Sequence, residues 1–319
     1  MRANANLRAG VIGAGAFGRL HAQKYASLPG VDLIGIADAE PERARAVAGP
    51  MGVTMFADYR FMLPHVDVVT IATPAEAHGE IGAVCLAHGK HVLMEKPLAA
   101  TLAEADRLIA LAAASGLVLH TGHQERFVMR HMGLFDSDVT PVSIECHRAS
   151  PFNPRNTDVS VVLDLMIHDL DLVHQLNSAP VAQVDAVQRS LPHSRSDEVA
   201  VELKFADGMS AQLFASRMAN ARKRFMRIVY PDGEIYIDFL TREMSNTTPR
   251  SLNALGSASA ASEMPCPSTD PLGHGVAQFI EAARGRREPA IKPHEARRAL
   301  ETALSILNAA REKTPAYAS

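Results

Sequence analysis

Apolar and polar positions follow two different rhythms in the two halves of the chain. Up to His120, short apolar or β-branched runs have the continuity of strands buried on both faces. They are Leu7 to Ile12, Val31 to Asp38, Val66 to Ala72, His91 to Met94 and Leu117 to His120. Between them lie segments with helical spacing: Arg19 to Ser27, Pro41 to Ala48 with proline in its first turn, Glu76 to His88 closed by Gly89, and Leu102 to Ala114 stopped near Gly116. Strands alternating with single helices predict right-handed parallel crossovers and a doubly wound α/β sheet.

The second half changes period. Val199, Val201, Leu203 and Phe205 alternate with Glu198, Ala200, Glu202 and Lys204, one apolar face against one mostly polar face. Asp207-Gly208 predicts a hairpin into Met209 to Arg217, and Pro231-Asp232-Gly233 predicts another between Phe225 to Tyr230 and Glu234 to Phe239. With strands at Val142 to Arg148 and Gln183 to Ser190, the pattern predicts an α+β domain: a large open, mostly antiparallel sheet flanked by helices. Helices are expected at Val161 to Leu176, Gly275 to Arg284 and His294 to Glu312, and a long loop at Asn246 to Gly273. A seam near Gly122 to Arg126 then divides a domain over residues 1–124 from one over residues 125–319.

Composition narrows the function. The 319 residues are 47% hydrophobic and 21% charged, as in ordinary globular chains, and the formal net charge of -3 offers no footprint for nucleic acid or an anionic membrane. Small or neutral partners are expected. Cys85, Cys146 and Cys266 are odd in number and lack metal-ligand spacing, so neither a disulfide framework nor a metal site is expected. Arg2, Asn4, Asn6 and Arg8 occupy the place of a secretory signal's apolar core, and the run Leu108 to Leu119 is too short to cross a membrane. These features predict a cytoplasmic protein.

The first candidate for chemistry is Gly13-Ala14-Gly15-Ala16-Phe17-Gly18, between a strand and a helix. There Gly13 permits the tight turn, Gly15 lets the backbone approach a pyrophosphate, Gly18 lets helix and strand pack closely, and the helix N-terminus offers free N–H groups to phosphate. Asp38 closes the next strand about 20 residues further on, where a carboxylate accepts ribose hydroxyls and repels a 2′-phosphate, which favours NAD over NADP. Asp38 also suits a cap for the helix near Pro41. Thr73-Pro74 follows the third strand at the edge where open α/β sheets bind ligands, a position that also suits a plain proline-bounded loop. His78 either reaches the cofactor or lies exposed in the first turn of its helix.

Glu95-Lys96-Pro97 puts a charged pair at the same edge. Lys96 either hydrogen-bonds a substrate hydroxyl or is a solvated loop lysine. In the second half, Asp164, His168, Asp171 and Gln175 fall on one polar stripe, while Leu165, Leu172, Val173 and Leu176 form an apolar face. The stripe is either the wet side of an amphipathic helix or a proton-transfer site, since a histidine beside carboxylates exchanges protons near neutral pH. Arg222-Lys223-Arg224 either receives a diphosphate or is a solvated turn.

Together these residues resemble the Gfo/Idh/MocA oxidoreductase family. The likeness is carried by the glycine loop, Ile71-Ala72-Thr73-Pro74, His78, Gly89-Lys90-His91-Val92, Glu95-Lys96-Pro97, Gly122 with Arg126-Phe127, Asp164-Leu165-Met166-Ile167-His168, and Glu295 to Glu301. It implies a Rossmann domain that binds NAD through Gly13, Gly15, Ala16, Phe17, Gly18, Asp38, Thr73, Pro74, His78, Glu95 and Lys96. It also implies a substrate site lined by Lys96, Arg126, Asp164 and His168, with His168 or Lys96 handling the proton as hydride passes between a ring carbon and the nicotinamide. Many members have glycine where this chain has Met166. The segment Asp158 to Asp171 is similar to the branch that contains UDP-N-acetylglucosamine 3-dehydrogenases, which implies a sugar or nucleotide-sugar substrate; inositol, other polyols or a non-sugar substrate are the alternatives, and a non-catalytic NAD(H)-binding regulator a further one. The sheet of the second domain is expected to form a homo-oligomer.

Overall fold

The computed structural model describes residues 6–135, 139–152, 159–191, 196–252 and 269–312. The chain forms two compact units. In the first, β1 (Leu7–Ile12), α1 (Ala16–Ser27), β2 (Val31–Ala37), α2 (Pro41–Met51), β3 (Thr54–Phe56), β4 (Val68–Ile71), α3 (His78–Ala87), β5 (His91–Met94), α4 (Leu102–Ser115) and β6 (Leu119–Thr121) follow one another. The six strands are parallel in the order β3-β2-β1-β4-β5-β6. That order reverses between β1 and β4, and the crevice at such a reversal is where open α/β sheets take their ligands.

Local chemistry explains the boundaries. Thr101 caps α4 in a reciprocal box with Glu104, and Gly116 ends that helix in the left-handed region at φ +63°. Helix α2 runs past the expected Ala48 through Pro50 and stops at Gly52, φ +67°.

The second unit begins at Val128, within α5 (Glu125–His131). It continues through β7 (Ser143–Ala149), a π-helical turn at Val162–Met166, α6 (Ile167–Leu176), β8 (Val181–Arg189), β9 (Glu198–Phe205), β10 (Ser210–Ser216), β11 (Lys223–Tyr230), β12 (Gly233–Asp238) and β13 (Met244–Asn246). Then α7 (Pro271–Ala283) returns to the first unit, and α8 (Pro293–Ala309) and β14 (Arg311–Glu312) follow. The eight strands lie in the order β13-β12-β11-β7-β10-β9-β8-β14. All neighbours are antiparallel except β7 with β10 and β8 with β14.

One face of this sheet, through Ile144, Cys146, Val201, Leu203, Leu213 and Met226, packs with Met166, Ile167, Leu170, Ala303 and Ile306 into one core. Met166 is fully buried there.

The structure corrects the expected seam. Residues up to Phe127 together with α7 and the chain to Arg297 make the first unit, so 125–319 is not one body. The reason is packing: Leu272, Val276, Phe279 and Ile280 share the core of Ala9, Val11, Ile36 and Val68. Helix α7 starts at Pro271 rather than Gly275, because Asp270 accepts the Gly273 N–H at 2.9 Å and proline sits in the first turn. The final helix stops at Ala309, short of Glu312, because Arg311–Glu312 pairs with Val187 and Gln188 of β8. Cys85 and Cys146 are buried free thiols, and burial pushes Cys85 up to about 12. Cys266, Asp158 and most of the expected loop Asn246 to Gly273 lie outside the described residues. Among the described residues no helix is long and apolar enough to cross a membrane, and no group of His, Cys, Asp and Glu is arranged to hold a metal ion.

Candidate functional site

In the first unit the site grows out of the β1–α1 turn. Gly13 has φ +96°, and a Cβ there would lie 2.6 Å from the Ala72 carbonyl oxygen; a Cβ on Gly18 would lie 1.7 Å from the Gly13 carbonyl oxygen. Neither position admits a side chain. Gly15 caps α1 with extended backbone and open space where its Cβ would be, and Gly15, Ala16 and Phe17 are exposed. The first-turn N–H groups of α1 have no side-chain cap among them, and the open space beside Gly15 suits a pyrophosphate.

Asp38 stands beside this loop. Its Oδ2 accepts the Ala14 N–H at 2.7 Å and its Oδ1 accepts the Glu40 N–H at 2.8 Å, so the carboxylate braces the glycine loop and tightens the entry to α2. A carboxylate has about four lone-pair sites, and two hydroxyls fit the remaining ones. The brace and the helix-entry role are thus compatible with ribose recognition. Thr73, at the end of β4, has a buried hydroxyl without a protein partner, another polar group suited to a ligand in the crevice. The donor set, the open Gly15 and the acceptor at Asp38 all fit a dinucleotide.

His78 is not the exposed first-turn side chain that one expectation made it. It is buried, with Nδ1 at 2.8 Å from the Pro97 carbonyl and Nε2 at 3.0 Å from the Thr73 carbonyl, and so straps together the loops after β4 and β5. Burial pushes its pKa down, so the neutral ring donates to one carbonyl at a time. Glu95 also turns inward: it is buried, with Oε1 at 2.6 Å from His21 Nε2. Lys96, joined to Pro97 by a cis bond, is half-buried. Arg126 is fully buried and commits a guanidinium nitrogen to Glu295 in the same unit.

In the second unit, Asp164 lies within the π turn and His168 in the first turn of α6, and both are half-buried. Such π turns recur at functional sites because the widened turn re-aims side chains. The Ser160 side chain accepts the Val162 N–H at 3.1 Å and its carbonyl accepts the Asp164 N–H at 2.9 Å, which anchors the start of the turn. The expected stripe is only partly wet: Gln175 is half-buried, but Asp171 is 1% exposed.

Sequence reasoning missed the pairs that hold this helix. Asp169 takes a bidentate grip from Arg148 of β7 at 3.0 and 2.7 Å, both residues buried. His174 bonds Thr302 at 2.8 Å, and burial together with Arg298 pushes its pKa down to about 3. A charged residue at an otherwise inward strand position, as Arg148 is, was the available signal. Arg222 and Lys223 are exposed, and Lys223 lies 4.8 Å over the Phe225 ring.

The other face of the second sheet carries a row of rings across four strands. Phe214 stacks on His147 at 4.7 Å, His147 on Phe225 at 5.5 Å and Phe225 on Tyr236 at 5.4 Å. A cavity of about 740 Å³ opens on this face beside Glu145, Val187, Ala200, Glu202 and Gln212.

Two family profiles match the chain: an oxidoreductase family with an NAD-binding Rossmann fold over residues 7–123, and the GFO/IDH/MocA C-terminal domain over residues 134–236. UDP-N-acetylglucosamine 3-dehydrogenase of Acidithiobacillus ferrooxidans is 37% identical over 75% of this chain and 76% of its own length. A solved structure of that enzyme superposes with a TM-score of 0.86 at 33% identity, covering 96% of this chain and 98% of the other. Inositol 2-dehydrogenase of Acidothermus cellulolyticus is 32% identical over 59% of this chain and 58% of its own.

Proposed function

The chain belongs to the Gfo/Idh/MocA family of NAD-binding oxidoreductases, and from that premise we propose that it oxidises a secondary hydroxyl of a nucleotide sugar similar to UDP-N-acetylglucosamine. The observation that carries the reading is the 37% identity to the UDP-N-acetylglucosamine 3-dehydrogenase, sustained at 33% over nearly the whole of both chains in the structural comparison. Gly13, Gly15 and Gly18 hold the pyrophosphate against α1, with Ala16 and Phe17 covering it and Thr73 and Pro74 flanking it. Asp38 accepts the ribose hydroxyls, and its charge with that of Glu40 disfavours a 2′-phosphate, so NAD is used ahead of NADP.

Bound NAD supplies the hydride acceptor. His168 takes the hydroxyl proton as the C–H pair leaves the carbon, Asp164 steadies the resulting imidazolium, and Lys96 donates a hydrogen bond to the oxygen as it becomes a carbonyl. The alcohol loses two electrons and two hydrogens, one as hydride and one as the proton on His168. His78 and Arg126 serve as supports, since both ring nitrogens of His78 and a guanidinium nitrogen of Arg126 bond within the fold.

The ringed outer face of the second sheet pairs with a second copy in this reading. Its aromatic row, with His147, Phe214 and Tyr236 half-buried, and its mixed charges, Glu202 and Lys204 among them, suit a self-complementary contact. Sedimentation at several concentrations reads the oligomer directly.

The test of function is incubation with NAD and, separately, UDP-N-acetylglucosamine, N-acetylglucosamine and myo-inositol, following absorbance of the reduced cofactor. Turnover greatest with the nucleotide sugar is expected. Greater turnover of myo-inositol overturns the substrate class, and no turnover of any probe by folded, NAD-binding protein overturns the reaction.

A further inference from the structure

Helix α1 carries the phosphate loop at its start and His21 on its buried stripe, with Gly18, Ala22 and Tyr25. The His21 ring is 1% exposed and meets Glu95 at 2.6 Å, linking that helix to the residue immediately before Lys96. A third element yields room for the contact. Gly122 follows β6, and a Cβ there would lie 2.9 Å from Glu95 Oε1 and 3.1 Å from Oε2. Elements α1, β5 and the turn after β6 thus converge on one carboxylate.

Stability alone does not account for such an arrangement. A buried ion pair costs as much in desolvation as it returns in attraction, and apolar residues of similar volume commonly do as well. The carboxylate is nevertheless held in its ionised form: His21 and Lys96 outweigh burial and keep Glu95 below the usual carboxylate range. Its Oε2 also lies 3.4 Å from the Lys96 N–H. The other titratable neighbours are His78, which feels Glu95, and His120, which feels His21, His123 and Arg126. Arg126 is itself committed to Glu295.

We propose that His21 and Glu95 form a buried positioning pair for Lys96: His21 fixes the Glu95 carboxylate, and that anion, bonded behind the Lys96 backbone and attracting its ammonium, sets where the ammonium is presented. Glu95 on this account is not a cofactor contact. The inference rests on the proposed role of Lys96 toward the substrate hydroxyl.

The experiment measures kcat and KM with NAD and UDP-N-acetylglucosamine, NADH affinity by fluorescence titration, and thermal melting, for Glu95→Gln, His21→Ala, His21→Gln, Lys96→Met and the double Glu95→Gln/Lys96→Met. Glu95→Gln keeps the shape of the side chain, so it reports even where His21→Ala fails to fold. Glu95→Gln and His21→Ala are expected to lower kcat roughly 10- to 100-fold, the range of a displaced catalytic group. NADH affinity should stay within about threefold, and His21→Gln, whose amide still donates to the carboxylate, should recover most of kcat. Added to Lys96→Met, Glu95→Gln should do nothing further, because residues acting through one another are not additive. Full multiplication of the two losses, or a loss of NADH affinity that matches the loss of kcat, overturns the pair's role. A deficient Lys96→Met beside an undiminished Glu95→Gln overturns the pair and leaves the proposed function standing. An undiminished Lys96→Met, or no turnover by the parent protein, overturns both.

Discussion

The glycine loop of the first unit and the Asp164–His168 turn of the second are built by opposite means. The loop is made of backbone: what matters at Gly13 and Gly18 is that no side chain intrudes, and a motif of missing side chains is written in the spacing of glycine. The turn is made of side chains on a widened π segment, held by partners such as Arg148 that lie far away in sequence. The first kind of site tolerates almost no change at its glycines and is readable locally. The second depends on pairings that form only after the sheet is assembled.

If that contrast holds, Gly18→Ala has the largest effect of any single change. Its Cβ would overlap the Gly13 carbonyl, at a cost upwards of about 3 kcal/mol, so either cooperative melting or NADH binding is lost. Gly15→Ala, with open space at its Cβ, keeps the melt and weakens NADH alone. Similar behaviour of the two variants in calorimetry and titration would erase the distinction between the glycines. Next comes His168→Ala, expected to lower kcat by about 10²- to 10⁴-fold while NADH affinity stays constant; a parallel fall in affinity would mean that the turn supports the nucleotide site instead.

Third, Arg148→Met strips Asp169 of its buried partner and should lower stability by about 3–5 kcal/mol in denaturant titration. Arg148→Met with Asp169→Leu should return much of it, since no unpaired charge then stays buried. A double variant as unstable as the single one would show that the pair itself, rather than its imbalance, holds α6.

The smallest effect is one of pH. Burial, with Arg126 and His123 nearby, pushes His120 down to about 3 from its ordinary 6.5. Between those values the unfolded chain binds a proton that the folded one refuses, so stability is whole above about pH 6.5 and falls as pH drops toward 3. His120→Phe, whose ring can keep the stack on Phe127, should flatten the acid limb of a plot of melting temperature against pH. An unchanged limb would move its origin to other groups, among them His174.

The same contrast explains how much could be read in advance. The strand His91–Met94 and the helix Leu102–Ser115 follow from period and capping residues, and the sheet classes follow from the change of period near the middle. The three-residue β3 and two-residue β14 are too short for any period to register, and α7 joins the first unit through contacts that sequence order conceals. The tight turn at Gly13, the close packing at Gly18 and the place of Asp38 beside that loop are legible because their geometry is local. His78 reads as a ligand contact or an exposed side chain, and the structure makes it a strap, because its two carbonyl partners come together only when β4 and β5 pair. His21 had one visible signal, a histidine on the apolar stripe of α1, but its partner lies just past the end of β5, 74 residues away.

The return of α7 bears on how the protein is made. Lys24 bonds Asp270 at 2.9 Å, the Arg284 guanidinium reaches the Gly30 carbonyl at 2.7 Å, and the apolar side of α7 fills the space beside β1 and α1. On the ribosome, the nucleotide-binding unit therefore cannot close its core when its own six strands have emerged; it waits, with that apolar surface open, until strands β7 to β13 of the second sheet have been synthesised. Domains that are continuous in sequence fold as they appear. Here the first unit to begin is finished late, and a fragment ending at Phe127 reproduces that unfinished stage permanently.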